Sequence, residues 1–503
     1  MNLKALLILL ALSLGFGSYL YFGIQKPAEE RQAREDEENR IAEGDFTLLE
    51  SIKLFTKGFM KSPIVLTRDK DRNTWSITSP EKDLAATGKV ESLITALEKF
   101  KKTKEIMTAE EAKQQNKRSE EAYGLNEPRL KVEFKTSAMA SPSTFTLGAL
   151  NPSSSGTYAR LGDDGAIVLA TTDLDTYANQ KVEDFREMRL TTVPSSDFQE
   201  VEIQNGVKKM KFARDAANKW SMVYPAGFPI DQEYTENQLE KVSFLRANKF
   251  LAQKPTALSQ PEIRVLVGFK ENVHDGRTHA GDKRPSGVEI SLARTKRAKL
   301  AAKKPGEESA AETHNFYAMT DKTQASEISR FHFENFARSP EDFVKKSFDD
   351  YETSEIKQVT FLKKGGPKIE ILREDEGSNA KFTLKSGDKT KSINLERVEA
   401  ILRPIRVIHA TKFDSVLKAL PATKDFQVDY EFVNGKSRTY AFTLGKDASR
   451  LAFRNETDWR GSYVLPGNAL QLQDFDYAEL AKEEGAAPPL PIKADVEKAD
   501  RKK

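Results

Sequence analysis

An eight-residue pattern that occurs twice constrains the fold of this chain more than any other feature. Asn73–Pro80 and Asn218–Pro225 share the skeleton Asn-x-Trp-Ser-apolar-x-x-Pro. Each copy follows a short apolar stretch that ends in an Arg-Asp pair, Arg68-Asp69 or Arg214-Asp215. Apolar alternation on both sides of a polar turn is typical of a β-hairpin. The pattern therefore predicts a recurring hairpin whose aromatic residue points into a core.

A weaker third copy lies at residues 379–384, where Phe382 replaces the tryptophan. We interpret Trp75, Trp220 and Phe382 as equivalent core anchors of three hairpins. The third copy extends the repetition to most of the chain.

Each hairpin is followed by a segment with helical periodicity and then by alternating strands. Apolar residues fall on one helix face in residues 90–100 and 398–408, and less regularly in residues 239–250. Pro404 is expected to kink the third of these helices. The string Phe-Thr-Leu-Gly then recurs at residues 145–148 and 442–445, at what look like matching places in two meanders.

This order of elements predicts an α+β fold of three related units. The length of the chain agrees with this prediction, because 503 residues are too many for one hydrophobic core. The units span residues 46–190, 191–348 (with long insertions at about 271–313) and 349–480. Each is expected to be an antiparallel β-meander with one packed helix.

The N-terminus carries a candidate membrane anchor. Residues 5–24 contain no charge, and a helix of that length spans roughly 30 Å, the thickness of a bilayer core. A cleaved signal peptide is the alternative, but the run ends in Tyr19, Tyr21 and Phe22, which suit a membrane interface. We expect a single N-terminal transmembrane helix (residues 1–25), a charged stalk (26–45) and, at the other end, a disordered tail (481–503). The charge count beside the span leaves the orientation open, and we favour a body outside the cytoplasm.

Composition excludes several classes of protein. The chain has no cysteine, so disulfides, thiol catalysis and Cys-ligated zinc are ruled out. Its 79 Lys and Arg nearly balance its 76 Asp and Glu, without the basic excess of nucleic-acid-binding proteins.

We predict no catalytic, cofactor-binding or metal-binding residues, since no catalytic or nucleotide-binding motif is found. The five histidines are scattered along the chain. His274 and His279 lie in a Gly-rich, charged insertion that we interpret as a mobile loop rather than a metal site. The basic run at residues 294–304 is interpreted as a solvated insertion, with contact to anionic lipid or an acidic partner as the alternative.

The sequence resembles the bacterial family called domain of unknown function 4340. The resemblance rests on the step Tyr123-Gly-Leu-x-x-Pro128, and on the strand run from Phe145 to Leu169 that contains FTLG, YAR and IVL. It is strongest over residues 46–190. It implies an envelope protein associated with ABC-type transport systems, including those of gliding motility, and it carries over no catalytic residues.

These observations favour a non-enzymatic, membrane-anchored accessory or scaffold protein of a bacterial envelope complex. It would lie in the bacterial inner membrane with its body in the periplasm, and its possible partners are an ABC-type permease or auxiliary subunits. No nucleic acid, cofactor or small-molecule substrate is expected. The alternative is a protein that binds or hydrolyses cell-wall peptidoglycan or another glycan.

Overall fold

The computed structural model describes residues 37–70, 73–115, 117–278, 286–296, 314–348, 351–374, 381–444, 451–456 and 459–474, together with residues 21, 26, 35 and 282. The architecture is mostly β, with three antiparallel sheets of nine, eight and nine strands and few helices. The α+β class predicted from the sequence therefore overstates the helical share of the fold.

The first sheet lies between residues 49 and 170. Its strands are β1 (Leu49–Thr56), β2 (Ile64–Asp69), β3 (Thr74–Ser79), β4 (Asp83–Leu84), β5 (Lys102–Met107), β6 (Leu130–Thr136), β7 (Ser143–Leu150), β8 (Thr157–Leu161) and β9 (Ile167–Ala170). They are ordered β4-β3-β2-β1-β6-β7-β8-β9-β5. The helices associated with this sheet are α1 (Thr87–Lys99), α2 (Ala109–Gln115), α3 (Lys117–Ala122) and α4 (Val182–Phe185).

The second sheet lies between residues 198 and 328. Its strands are β10 (Phe198–Asn205), β11 (Lys208–Arg214), β12 (Trp220–Tyr224), β13 (Lys249–Phe250), β14 (Ile263–Phe269), β15 (Gly287–Lys296), β16 (His314–Thr320) and β17 (Ser326–Ile328), in the order β12-β11-β10-β14-β15-β16-β17-β13. Its helices are α5 (Gln232–Glu240) and α6 (Arg330–Phe336). Asp231 caps α5 by accepting a hydrogen bond from Tyr234 N.

The third sheet lies between residues 356 and 464. Its strands are β18 (Ile356–Lys363), β19 (Ile369–Arg373), β20 (Phe382–Ser386), β21 (Lys389–Ile393), β22 (Lys412–Val416), β23 (Phe426–Phe432), β24 (Ser437–Thr443), β25 (Leu451–Glu456) and β26 (Trp459–Val464), in the order β21-β20-β19-β18-β23-β24-β25-β26-β22. Its helices are α7 (Leu395–Arg406) and α8 (Gln471–Asp474), and α7 continues through Pro404 to Arg406.

The three sheets have the same connectivity. The first and third sheets place their strands in the same order, and among the described residues the second sheet has no counterpart of the short outermost strand β4. In each, the principal helix (α1, α5 or α7) follows the N-terminal hairpin and precedes the strand at the opposite edge. We call each sheet, together with its helices, a repeat, and we number the first, second and third repeats in chain order.

Side-chain alternation explains the cores. In β6 every second residue is buried, from Leu130 to Thr136, so one face of the strand covers the core and the other faces outward. The predicted helix stripes are buried as well, with Val90, Leu93 and Leu97 in α1 and four apolar residues in α7. Separate cores result under the first and third sheets.

The two Phe-Thr-Leu-Gly strings do not occupy equivalent positions, contrary to the prediction. Phe145 pairs with Val132, the third residue of β6, whereas Phe442 pairs with Phe426, the first residue of β23. The strings are therefore offset by two residues between the repeats. A shift of two keeps each side chain on its original face of the sheet, so both registers satisfy the core.

The predicted anchor (residues 1–25) lies outside the described residues except for Tyr21, and the tail (481–503) lies wholly outside them. No described helix combines the length and apolarity needed to span a membrane. The end of the predicted stalk is not solvated: Ala42 is buried, and Ile41 N donates to Phe100 O at 3.1 Å. These two apolar residues join the first core because they lie beside the end of α1.

The chain divides into two compact units. One comprises Met1–Thr192 and Gly276–Ala280, and the other comprises Val193–Asp275 and Gly281–Lys503. The first contains the first repeat, and the second contains the sheets of the second and third repeats.

Candidate functional site

An arginine lies directly opposite the anchoring aromatic residue in all three hairpins. All three aromatic residues are buried, as predicted. The cross-strand pairs are Arg68 with Trp75, Arg214 with Trp220, and Arg373 with Phe382. In the second repeat the guanidinium of Arg214 stacks on the Trp220 ring, 4.4 Å from its centroid.

Each of these arginines also ties its hairpin to the turn that precedes the first strand of the repeat. The acceptors are backbone carbonyls: Thr47 O for Arg68 (2.8 Å), Ser195 O for Arg214 (3.5 Å) and Ser354 O for Arg373. The Arg-Asp pairs in the sequence marked Arg68 and Arg214 but not Arg373, and the role of these arginines was not evident from the sequence. They are structural features of the repeat.

The asparagine of the sequence pattern also has a backbone role. Asn73 and Asn218 adopt positive φ angles of 52° and 61°, a left-handed conformation that asparagine tolerates better than most residues. The prolines that end both copies, Pro80 and Pro225, follow cis peptide bonds.

The repeats differ where the meander begins. Its opening residue pairs are Leu130–Leu147, Ile263–Leu292 and Phe426–Phe442 in the three repeats. Counting forward from these pairs, Gly148, Ala293 and Thr443 are equivalent, and so are Ala149, Arg294 and Leu444. Counting backward, the Tyr123-Gly124-Leu125 step corresponds to Thr256-Ala257-Leu258 in the second repeat.

In the first repeat the Tyr-Gly-Leu step closes the edge of β7. Tyr123 O accepts a hydrogen bond from Ala149 N at 2.8 Å, and Gly124 adopts a φ of +67°. A Cβ placed on Gly148 would lie only 2.1 Å from Tyr123 O. Both glycines are therefore required for this close backbone approach.

The third repeat satisfies the same backbone donor in another way. Leu444 N, the equivalent of Ala149 N, donates to the side chain of Asp425 at 3.0 Å. Asp425 N in turn donates to Phe442 O at 2.9 Å, which continues the strand pairing by one residue.

The second repeat has an open groove at this place. The groove encloses about 640 Å³ and is lined by Thr256, Ala257, Ser259, Glu262, Ala293 and Arg294, among others. An ion pair of 2.9 Å joins Arg294 Nε to Glu262 Oε2 at its rim. Alanines occupy the positions of both closing glycines, so the backbone approach seen in the first repeat is sterically blocked here. We call this feature the second-repeat groove.

Replacing Gly148 with alanine tests this explanation. The added methyl group must displace the Tyr123 carbonyl, so we expect the first repeat to lose about 2 kcal/mol of unfolding free energy. Urea unfolding of the full chain, with hydrogen exchange in the peptides spanning β7, measures the loss. The matched control is Ala293→Gly, which should cost less than about 1 kcal/mol. Equal effects of the two substitutions would contradict the steric account.

A cluster of charged side chains is buried in the first compact unit. Asp83 Oδ2 lies 2.7 Å from Arg186 Nε and 2.6 Å from Arg186 Nη2. Arg277 Nε is 3.6 Å from Asp83 Oδ1, and its side chain is only 4% exposed. Arg277 also donates to the carbonyls of Glu187 (2.6 Å) and Arg189 (2.9 Å). The cluster pairs each nearly buried cation with acceptors, as burial of charge requires.

The insertion that supplies Arg277 was predicted to be a mobile loop, which is wrong for its described part. Asp275, Arg277 and Thr278 are all buried. The prediction failed because it rested on composition, whereas the hydrogen bonds that hold Arg277 come from residues about ninety positions away in the chain.

Glu187 gives the cluster a predicted pH dependence. Burial alone would raise the pKa of Glu187, but hydrogen bonds from Arg189 and the positive charges of Arg189 and Arg277 bring it below its usual value of 4.5. Since the folded-state pKa is the lower one, ionised Glu187 stabilises the fold above this value. The contribution is lost as the pH falls through the folded-state pKa.

We therefore expect Glu187→Gln to show a smaller loss of stability on acidification than the unchanged protein. Urea unfolding at neutral pH and below pH 4.5 measures this difference. Glu183→Gln, at an exposed position of α4, is the control and should keep the full acid dependence. An identical acid response of all three proteins would contradict the role given to Glu187.

The described histidines do not converge on a site. His274 is exposed, and His279 lies outside the described residues. Burial and the nearby charge of Arg246 lower the pKa of His332 below its usual value. Within the described part of the chain, no three His, Asp or Glu side chains form a group suited to a metal ion. Most of the basic run at residues 294–304 lies outside that part, with Arg294, Thr295 and Lys296 inside it.

Two signals in the sequence could have located the second-repeat groove and the turn that ends the first two meanders. One is the exchange of glycine for alanine at positions 124/257 and 148/293. The other is the short string Glu-Asp-Phe, at residues 183–185 and 341–343, which marks the same turn at the end of the first and second meanders.

A family model described as Domain of unknown function (DUF4340) matches residues 75–261 and 304–434, which is more than half of the chain. No curated protein and no solved structure matches the chain.

Proposed function

The chain belongs to the DUF4340 family, and from this membership and its repeated fold we propose that it is a non-enzymatic, membrane-anchored scaffold of a bacterial envelope complex. The proposed complex is an ABC-type transport or gliding-motility auxiliary system. The body would lie in the periplasm, on an anchor formed by residues 1–25.

One observation carries the proposal: three sheets share one connectivity, yet their surfaces differ at the start of the meander. Sheets that share one connectivity provide a common framework in each repeat, on which loops and exposed edges can diverge for binding. The second-repeat groove is such a divergence, since the corresponding edge is closed by the chain itself in the other two repeats.

The sequence supports the tether. An uncharged stretch of twenty residues, 5–24, is long enough to remain in a bilayer. A tether would hold the folded body beside membrane proteins and raise its effective concentration there.

Crosslinking in intact cells, followed by purification from membranes and mass spectrometry, tests the function. We expect a permease or auxiliary subunit of a transport system to be recovered with the protein. A variant with Leu10→Arg, which places a charge within the proposed anchor, should lose both membrane retention and these partners.

Two results would contradict the scaffold. One is that the unmutated protein is found in solution rather than in membranes and crosslinks to no envelope protein. The other is cleavage of peptidoglycan by the purified body, or its sedimentation with peptidoglycan, which would favour the alternative of a cell-wall hydrolase or binding protein.

A further inference from the structure

One strand of the second repeat extends beyond its neighbour. The pairing of β14 with β15 ends at Ile263–Leu292, whereas β15 continues to Lys296 in pairing with β16. Along Ala293–Lys296, β16 is therefore the only described strand that pairs with β15. The second-repeat groove lies on the other side of this extension.

The ladder geometry sets the direction of the backbone groups there. Phe269 N donates to Ser286 O, so the residues of β15 whose backbone faces β14 are Val288, Ile290 and Leu292. Continuing the alternation, the N–H and C=O of Arg294 face the groove. The equivalent donors in the other repeats, Ala149 N and Leu444 N, bond to Tyr123 O and the Asp425 carboxylate.

We propose that the second-repeat groove binds an extended, acidic peptide segment of a partner protein, which adds as a short strand beside Ala293–Lys296. Strand addition of this kind draws its affinity from main-chain hydrogen bonds and its specificity from alternate side chains. The inference specifies one docking surface of the proposed scaffold and rests on that function.

The first repeat indicates what fits such a place. There the chain's own segment that closes β7 carries Glu120 and Glu121, and Tyr123 O accepts the hydrogen bond from Ala149 N. The second repeat presents Arg294 and Lys296 on the extended strand, and among the described residues Glu262 at the rim pairs with Arg294 alone. Charge complementarity therefore favours an acidic peptide.

A fluorescent peptide with the sequence of residues 119–127, SEEAYGLNE, is a suitable probe. It copies the segment that fills the equivalent place in the first repeat. Anisotropy titration with the full-length protein in detergent should give saturable binding with a dissociation constant below about 1 mM.

Two N-methylated versions of the peptide test the strand geometry without altering the protein. One is methylated at the positions of Glu121, Tyr123 and Leu125, and the other at Ala122 and Gly124. A strand pairs through one edge only, so one version should bind at least about tenfold more weakly and the other should bind nearly as well as the parent peptide. Equal binding of both versions, or loss of binding by both, would overturn the proposal.

Protein variants give a second, independent readout. Arg294→Pro removes the backbone donor that faces the groove, and it should abolish binding. Arg294→Gln keeps this donor and should weaken binding less than Arg294→Pro. Equal affinity of the two variants would overturn the role of the Arg294 N–H.

The remaining outcome concerns a different ligand. If chitotetraose binds the groove and the peptide does not, the groove is a glycan site and the peptide inference is wrong. Because this assay uses purified protein and no envelope partner, its failure would leave the crosslinking test of the scaffold unaffected.

Discussion

Trp220→Ala is expected to lower the unfolding free energy of the compact unit that contains it by roughly 3–5 kcal/mol. The indole is 2% exposed and lies under the guanidinium of Arg214, so its removal leaves a cavity. Arg214 would also lose the aromatic face on which it stacks, while its side chain remains nearly buried. The two losses act together because they share one site.

Urea unfolding followed by far-UV circular dichroism measures the change. Val223→Ala, on the same strand but 44% exposed, is the matched control and should have a much smaller effect. A loss below about 1 kcal/mol for Trp220→Ala would contradict its place as a core anchor.

Asp83→Asn is the second substitution for which we expect a large effect, roughly 3–5 kcal/mol, in the first compact unit. The amide keeps the shape of the side chain but removes the negative charge that two arginines share. Arg186 and Arg277 are 7% and 4% exposed, so water does not replace the lost carboxylate. Breaking a buried ion pair by removing one partner costs more than the pair itself contributes.

Hydrogen exchange in the peptides around β4 and residues 182–190 localises this loss to the cluster. Asp163→Asn is the control, since Asp163 pairs with Lys131 at an exposed position and should change stability little. Equal effects at positions 83 and 163 would show that burial of the cluster does not matter to the fold.

Local patterns in the sequence predicted much of the repeated fold. The Asn-x-Trp pattern identified the hairpins of the first and second repeats, and the apolar stripes of α1 and α7 identified their helices. These features depend on side chains a few residues apart, so periodicity reveals them. The share of β-structure was underestimated because the short edge strands β4, β5 and β13 carry little alternation.

The candidate sites depend on residues far apart in the chain, and periodicity could not locate them. Arg277 joins Asp83 across nearly two hundred residues, and its surroundings in the sequence look like a polar loop. Ala257 and Ala293 line the second-repeat groove at the positions of the two closing glycines, a substitution whose meaning is clear only beside the closed first repeat. A difference between related repeats was therefore more informative than any single motif.

Site-specific photo-crosslinking in intact cells tests most directly the claim that this chain is a scaffold whose second repeat docks a partner. A photoreactive residue at Ser259, which lines the second-repeat groove, is compared with one at Asn126, the equivalent exposed position of the closed first repeat. We predict that position 259 crosslinks to an envelope membrane protein and that position 126 yields far less of the same product. Equal yields at the two positions, or no envelope protein at either, would contradict the account.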